Sequence, residues 1–315
     1  MICIVTGCAG FIGSNLVDEL LAKNYTVIGI DNLSTGNLFF LENAKKNTRF
    51  NFIELDLKEY DLLPKIFYNS DIVFHLSANA DIKDGLQNPR KDLEENTMVT
   101  FNILNAMREQ SVKKIVFAST GSIYGEAKTI PTSEDSEFPI QTSLYGASKL
   151  ACEGLIASFC EGYDFQSWIF RFVGILGSRY THGHVFDFYK KLLIDPNNIH
   201  ILGNGKQKKS YLNIEDCIDG ISFAIENSNA KVNIFNLGLD EYCEVNDSLN
   251  WIIDELQLNP NITYQGGERG WIGDNPFIYL NVNKIKKLGW TPKKNIKESV
   301  IETIRYLKMN KDRFF

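Results

Sequence analysis

An α/β fold built on a doubly wound parallel sheet, with a smaller interleaved C-terminal lobe, is what this sequence predicts. Three observations predict it. Short continuous apolar runs alternate with helical segments up to about residue 175, and unbroken apolarity marks strands that are covered on both faces. A glycine-rich turn, "TGCAGFIG" (6–13), stands where the first strand passes into the first helix. The alternation then loosens, and one more apolar run returns late in the chain. Together these describe a sheet of the Rossmann type, in which ligands bind beyond the carboxyl ends of the strands.

The elements follow in order. Residues 1–7 ("MICIVTG") read as a strand, and Ile12, Leu16, Val17, Leu20 and Leu21 recur at helical spacing over 12–23. "TVIGID" (26–31), "RFNFIELD" (49–56), "DIVFHLSA" (71–78) and "KKIVFAST" (113–120) read as the next four strands. Met98, Phe101, Leu104 and Ala106 mark a helix over 94–110. Residues 143–159 form another, with Leu144, Ala147, Ala151, Leu155 and Phe159 on its apolar side and Ser143 as its cap. "FQSWIFRFVGI" (165–175) supplies a sixth strand, and "IFNLG" (234–238) is one more strand returning to the sheet. The predicted division is a dinucleotide-binding domain at 1–174, with 211–239 returning to it, and a substrate-binding lobe from 175–210 and 240–315.

Composition narrows the function. A hydrophobic fraction of 44% and a charged fraction of 23% are those of a globular enzyme, and no apolar run reaches membrane-spanning length. With no leader pattern at the start, the expected compartment is the cytosol. The net charge of −6 argues against nucleic acid as a partner. Six cysteines (Cys3, Cys8, Cys152, Cys160, Cys217, Cys243) lack any C-x-x-C pair, which fits reduced thiols rather than a disulfide framework or a zinc site.

The glycine turn points to a cofactor. Gly7, Gly10 and Gly13 at G-x-x-G-x-x-G spacing let backbone amides approach a pyrophosphate at a helix N-terminus. Asp31, at the end of the second strand, suits the two hydroxyls of an adenosine ribose and repels a 2′-phosphate, so NAD is expected rather than NADP. Asp56, at the end of the third strand, is placed for the adenine edge or for a helix cap.

"YGASK" (145–149) sets Tyr145 four residues ahead of Lys149, on one helix face. An ammonium beside a phenol stabilises phenolate and lowers a pKa of about 10 towards neutrality, which makes a general base. On its own such a pair is usually a solvated helix face. Here the fifth strand runs into "FASTGSIYG" (117–125), where Thr120 or Ser122 can hydrogen-bond a substrate hydroxyl beside the phenol.

With these motifs in place, the chain resembles the extended short-chain dehydrogenase/reductase superfamily, in its branch of NAD-dependent nucleotide-sugar epimerases and dehydratases. The resemblance spans nearly the whole chain, through "DNLSTGN" (31–37), "HLSA" (75–78), "ENT" (95–97), "KSYLNIEDCIDG" (209–220) and "LGWTPK" (288–293). It is most similar to the UDP-glucose 4-epimerase group. The resemblance implies that Tyr145 takes the proton of the sugar's 4-hydroxyl, that Thr120 binds the same oxygen, and that Lys149 holds the nicotinamide ribose. Hydride leaves carbon 4 for NAD, the ketone turns its other face, and hydride returns, so NAD stays bound. Implied cofactor contacts are Gly7, Gly10, Phe11, Ile12 and Gly13, then Asp31, Asn32, Asp56 and Leu57. Leu76, Ser77, Ala78, Asn96 and Ser119 follow, with Tyr145 and Lys149.

Related dehydratases carry a carboxyl just after the catalytic Thr, where this chain has Gly121 and Ser122, so epimerisation is expected over elimination. The implied substrate contacts are Ser122, Arg179, Lys209, Arg269 and Asp274. Two positions depart from the group's pattern: Gly174 stands where an Asn near the diphosphate is common, and Lys209 where an arginine is. Ile278 aligns with the gate beside carbon 2, and a residue smaller than tyrosine there admits an N-acetyl group, making UDP-N-acetylglucosamine a second expected substrate. No metal is expected at His182 and His184, and His75 reads as a structural histidine. The competing readings are another nucleotide-sugar epimerase, dehydratase or reductase, and a non-catalytic NAD-binding sensor. A homodimer through the helices 94–110 and 143–159 is implied by resemblance.

Overall fold

The structure, a computed structural model, describes residues 1–79, 85, 87–137, 140–267 and 277–315. Seven parallel strands form one sheet: β1 (Ile2–Thr6), β2 (Thr26–Asp31), β3 (Phe50–Glu54), β4 (Ile72–His75), β5 (Lys114–Thr120), β6 (Gln166–Phe172) and β7 (Val232–Leu237). Their order is β7-β6-β5-β4-β1-β2-β3. The chain therefore winds one way from β1 to β3 and the other way from β4 onward. The reversal opens a crevice between β1 and β4, where Thr6 pairs with His75 at the carboxyl ends.

Alternation along the strands divides the core. Cys3 and Val5 point to one face of the sheet, and Ile4 to the other. The second face packs under α2 (Leu63–Phe67), α3 (Val99–Glu109) and α4 (Leu144–Tyr163). The first face packs under α1 (Phe11–Ala22) and α5 (Ile214–Asn227), and its apolar cluster continues without a break into Leu249, Ile252, Leu280, Trp290, Val300 and Leu307. The C-terminal segments thus share the sheet's own core.

Three small ladders build these segments: Gly174–Leu176 with Tyr211–Asn213, Lys208–Lys209 with Cys243–Glu244, and Asn198–Ile201 with Asn261–Tyr264. "LGWTPK" docks on α5. Asp216 accepts hydrogen bonds from the backbone N–H groups of Lys293 and Lys294, both at 3.0 Å, and Asp219 accepts from the Trp290 indole at 2.9 Å. Bonds of this charge-assisted kind contribute about 1.5–3 kcal/mol each.

Two helix boundaries differ from the periodicity. The turn before α3, Leu93–Met98, is π-helical, and the α-helix begins only at Val99. Ser143 caps α4 by accepting from the Gly146 N–H at 3.0 Å, and the helix runs four residues past the predicted end, to Tyr163, before Asp164 turns left-handed. All six cysteines are free and buried. Among the described residues no helix is long and apolar enough to cross a membrane.

Candidate active site

The glycine turn is shaped by contact. Gly7 sits at φ +68°, and a Cβ there would stand 2.8 Å from the Ser77 nitrogen. A Cβ on Gly13 would stand 2.0 Å from the Gly7 carbonyl oxygen, so α1 can start this close to β1 only with glycine. Gly10 precedes α1 and places no side-chain cap over it. The N–H groups of Phe11, Ile12 and Gly13, in the first turn, have no acceptor within the helix and lie at its positive end.

Asp31 closes the crevice on the β2 side. Its carboxylate accepts from the Ala9 N–H at 2.9 Å and from the Leu33 N–H at 2.8 Å, and burial raises its pKa. Asp56 lies beyond β3, partly exposed, accepting from the Lys58 N–H at 3.0 Å and facing Asn32. Leu57 is buried, and its carbonyl accepts from Asn102 at 3.1 Å. Leu76, Ser77 and Ala78 follow β4. Thr6 Oγ1 fixes this stretch by accepting from the N–H groups of Leu76 and Ser77, at 3.2 and 3.3 Å.

Across the crevice, β5 delivers Thr120 and the first turns of α4 deliver Tyr145 and Lys149. Thr120 accepts from the Ser122 N–H at 3.1 Å, which leaves its own proton for the Tyr145 oxygen. Lys149 lies within the fold at 2% exposure. Its ammonium donates to the Ala118 carbonyl at 2.9 Å and stands 4.6 Å from the centre of the Phe117 ring. Burial brings Lys149 down to about 8. Burial pushes the Tyr145 phenol up to about 12; the Thr120 hydrogen bond opposes that rise and the Asp92 carboxylate reinforces it.

The profile of the NAD-dependent epimerase/dehydratase family matches residues 3–238. The chain belongs to that family. A UDP-glucose 4-epimerase of Mycolicibacterium smegmatis is 33% identical over 222 residues, 69% of this chain and 70% of that protein. A solved UDP-galactose 4-epimerase superimposes with a TM-score of 0.88 at 33% identity, covering 98% of this chain and 99% of the other. A UDP-glucuronic acid 4-epimerase from Bacillus cereus, solved with UDP-glucuronic acid and NAD, superimposes with a TM-score of 0.90 at 27% identity, over 98% and 99% of the two chains. NAD is the cofactor of this epimerase/dehydratase family member. The residues fit it: a side chain at Gly7 or Gly13 would fill the cradle, and the bare start of α1 suits a pyrophosphate.

Within this epimerase/dehydratase framework the structure gives several of the predicted residues partners of their own. The Lys149 ammonium is anchored on the Ala118 carbonyl of β5, and among the groups around the Tyr145 phenol burial raises its pKa while the Thr120 hydrogen bond lowers it. Ser119, at the end of β5, donates its hydroxyl to Glu153. Asn96, 1% exposed, accepts from the Asn79 N–H at 2.8 Å and donates to Ser148 at 2.9 Å, so it braces the loop after β4 against α4. Arg179 pairs with Asp18 on α1 through one guanidinium nitrogen, and its Nη1 is buried without a hydrogen-bond partner among the described residues. Arg269 and Asp274 lie outside the described residues. His75 is a structural residue: its ring joins Thr6 at 3.0 Å to Thr100 at 2.9 Å, and burial holds its pKa far down.

A second group of residues gathers around the segment after β6. Gly174 is exposed, and a Cβ there would meet the Tyr211 ring at 2.7 Å. The Tyr211 hydroxyl lies 2.5 Å from His184 Nδ1, while His184 Nε2 lies 2.7 Å from Ser248. Ser248 already donates to the Val245 carbonyl, so His184 is the donor to Ser248 and the acceptor from Tyr211. Burial, with Lys209 nearby, brings His184 down to about 3 and keeps it neutral. Ile278 packs on the catalytic loop, where a Cβ on Gly121 would approach it to 2.7 Å.

Sequence reasoning missed one network. Arg171 on β6 forms a buried ion pair with Glu153, 2.7 Å at the shortest, and donates to the Tyr124 hydroxyl at 2.6 Å. Tyr124 in turn donates to Asn236 on β7 at 2.8 Å. The signal was present: an arginine inside "WIFRFV" and a glutamate four residues past Lys149 in an apolar helix are buried charges that require each other.

Proposed function

We propose that the protein is a nucleotide-sugar 4-epimerase acting on UDP-glucose and UDP-galactose, with the N-acetylated pair as second substrate, by transient oxidation at carbon 4. One observation carries the choice of epimerisation over elimination. The loop after Thr120 reads Gly121-Ser122-Ile123-Tyr124, and the space at Gly121 is filled by Ile278. No carboxyl stands there to expel water from a 4-keto sugar.

Tyr145 takes the proton of the 4-hydroxyl and gives it back after the sugar has turned. Thr120 donates to the Tyr145 oxygen and so favours the phenolate. Lys149 supplies a fixed positive charge on the floor of the site. NAD, when bound, supplies the hydride acceptor and a positively charged ring. That charge is what this site needs, because its own groups leave the phenol near 12. Ser122 stands on the sugar side, and Lys209 beside His184 is the cation offered to the diphosphate. From the sequence pattern, Arg269 and Arg179 are further cations for the diphosphate and Asp274 is proposed at the nucleotide's ribose.

Met98 and Phe101 are exposed on α3 and its leading turn, while Val99, Ile103 and Leu104 face the sheet. This supports a homodimer through α3 and α4. Six free, buried thiols support a reducing cytosol.

Proton NMR of the protein with UDP-glucose, and separately with UDP-N-acetylglucosamine or UDP-glucuronic acid, tests the reading without added NAD. Galacto anomeric signals are expected with the first two. Tyr145→Phe should lose turnover by about a thousandfold or more while keeping NAD. Failure to convert either sugar with NAD still bound would overturn the assignment.

A further inference from the structure

The segment Lys311–Phe315 lies between two parts of the chain that carry different ligand contacts. On one side the Phe314 ring meets Phe39 edge-on, with centroids 5.4 Å apart, and Phe40 at 6.0 Å. Arg313 stands 5.2 Å over the Phe39 ring and pairs with Glu42 at 3.1 Å. On the other side Phe315 stacks on Phe186 at 5.1 Å and meets Tyr189 at 5.7 Å. Phe186 and Tyr189 belong to the helix His184–Ile194, whose first residue lies beside Lys209.

Phe39 and Phe40 sit in the turn Leu38–Leu41, which ends the loop that leaves Asp31. That loop is tied to the glycine cradle: the Asn37 N–H donates to the Ala9 carbonyl at 2.9 Å, and the Asn37 side chain accepts from the Phe39 N–H at 3.1 Å. Ala9 in turn donates to Asp31. A displacement of residues 32–37 away from Asp31 therefore pulls Phe39 and Phe40 out from under Phe314.

From this geometry we infer that Arg313, Phe314 and Phe315 act as a clasp that holds the loop after Asp31 against the adenosine side of NAD and slows release of the cofactor. They are positioning residues and touch no reacting atom. The inference rests on the NAD-binding role of Asp31. It matters for the proposed cycle, because hydride must return from the same cofactor that received it. A segment held by several aromatic contacts opens more rarely than a free loop, and opening is what limits escape of a ligand beneath it.

The test is the dissociation rate of bound NAD from the holoenzyme, followed by mass exchange against isotopically labelled NAD. Phe314→Ala should release NAD roughly tenfold faster, and Arg313→Ala about two- to threefold faster. Arg305→Ala, which removes the exposed pair with Glu255 on a neighbouring helix, should release it at the wild-type rate. Turnover of Phe314→Ala without added NAD should decay as NAD is lost and recover when NAD is supplied. A purely structural role would lower the melting temperature and leave the release rate where it was, which would overturn the clasp. Should Phe314→Ala fail to fold, the exposed Arg313→Ala decides: an unchanged release rate overturns the clasp. Wild-type protein that sheds NAD as freely as the variants retains nothing for a clasp to hold, and this overturns the retained-cofactor cycle as well. Equal, slow release from all proteins overturns the clasp alone.

Discussion

Replacing Lys149 with methionine should stabilise the fold while abolishing turnover. The ammonium is 2% exposed, has the Ala118 carbonyl at 2.9 Å as its hydrogen-bond acceptor, and titrates at about 8 instead of 10.5. Holding it so far down costs the folded protein about 3 kcal/mol at neutral pH. Methionine keeps the stem and removes the charge, and the lost bond to Ala118 gives back about 1–2 kcal/mol. The net expectation is a gain of about 1–2 kcal/mol at pH 7. The sign with pH follows from linkage. The folded pKa lies below the unfolded one, so the cost is complete below pH 8 and fades as pH rises towards 10.5. Urea unfolding at pH 7 and pH 10.5, on proteins freed of NAD, measures both ends. At the higher pH the wild type should draw level or pass the variant, because a neutral amine still donates to Ala118. A variant less stable than wild type at pH 7, or a difference indifferent to pH, would refute the reading of Lys149 as a costly buried charge.

Glu153→Ala should destabilise by about 3–5 kcal/mol, since it strands the Arg171 guanidinium inside the fold; a loss below about 1 kcal/mol in urea unfolding would show the pair to be expendable. Gly174→Asn should cost about 1–3 kcal/mol by pressing on the Tyr211 ring, and Tyr211→Ala in the same chain should recover most of it in a double-mutant cycle. Ile278→Tyr should lower kcat/KM for the N-acetylated sugar about tenfold more than for UDP-glucose, measured side by side; equal losses would remove Ile278 from the sugar pocket.

Local patterns were readable from the sequence and distant partners were not. The Gly7, Gly10 and Gly13 spacing, the Asp31 placement and the Ser143 cap are each fixed within a turn or two of chain, and the structure has them at those positions. Helical spacing put Tyr145 and Lys149 on one face correctly. What it could not supply was the Ala118 carbonyl, 31 residues back on a neighbouring strand, which captures the ammonium. The Asp18 partner of Arg179 was out of reach for the same reason, lying 161 residues away. Arg171 and Glu153 were readable in principle, since charge within an apolar run demands a partner, but two such residues must be noticed together.

Because Val5, Phe170, Leu249 and Leu307 belong to one apolar body, the C-terminal segments are not a module. A fragment ending near residue 174 would leave one face of the sheet covered by little more than α1, and melting of the whole chain should register as a single transition. The same continuity limits how such an enzyme changes its sugar. Exchanging the lobe for another would demand rebuilding the sheet face beneath it, whereas a changed side chain at Gly174 or Ile278 asks for adjustment at near neighbours such as Tyr211 or Gly121. Diversification in a chain built this way should proceed by point changes around a fixed wall.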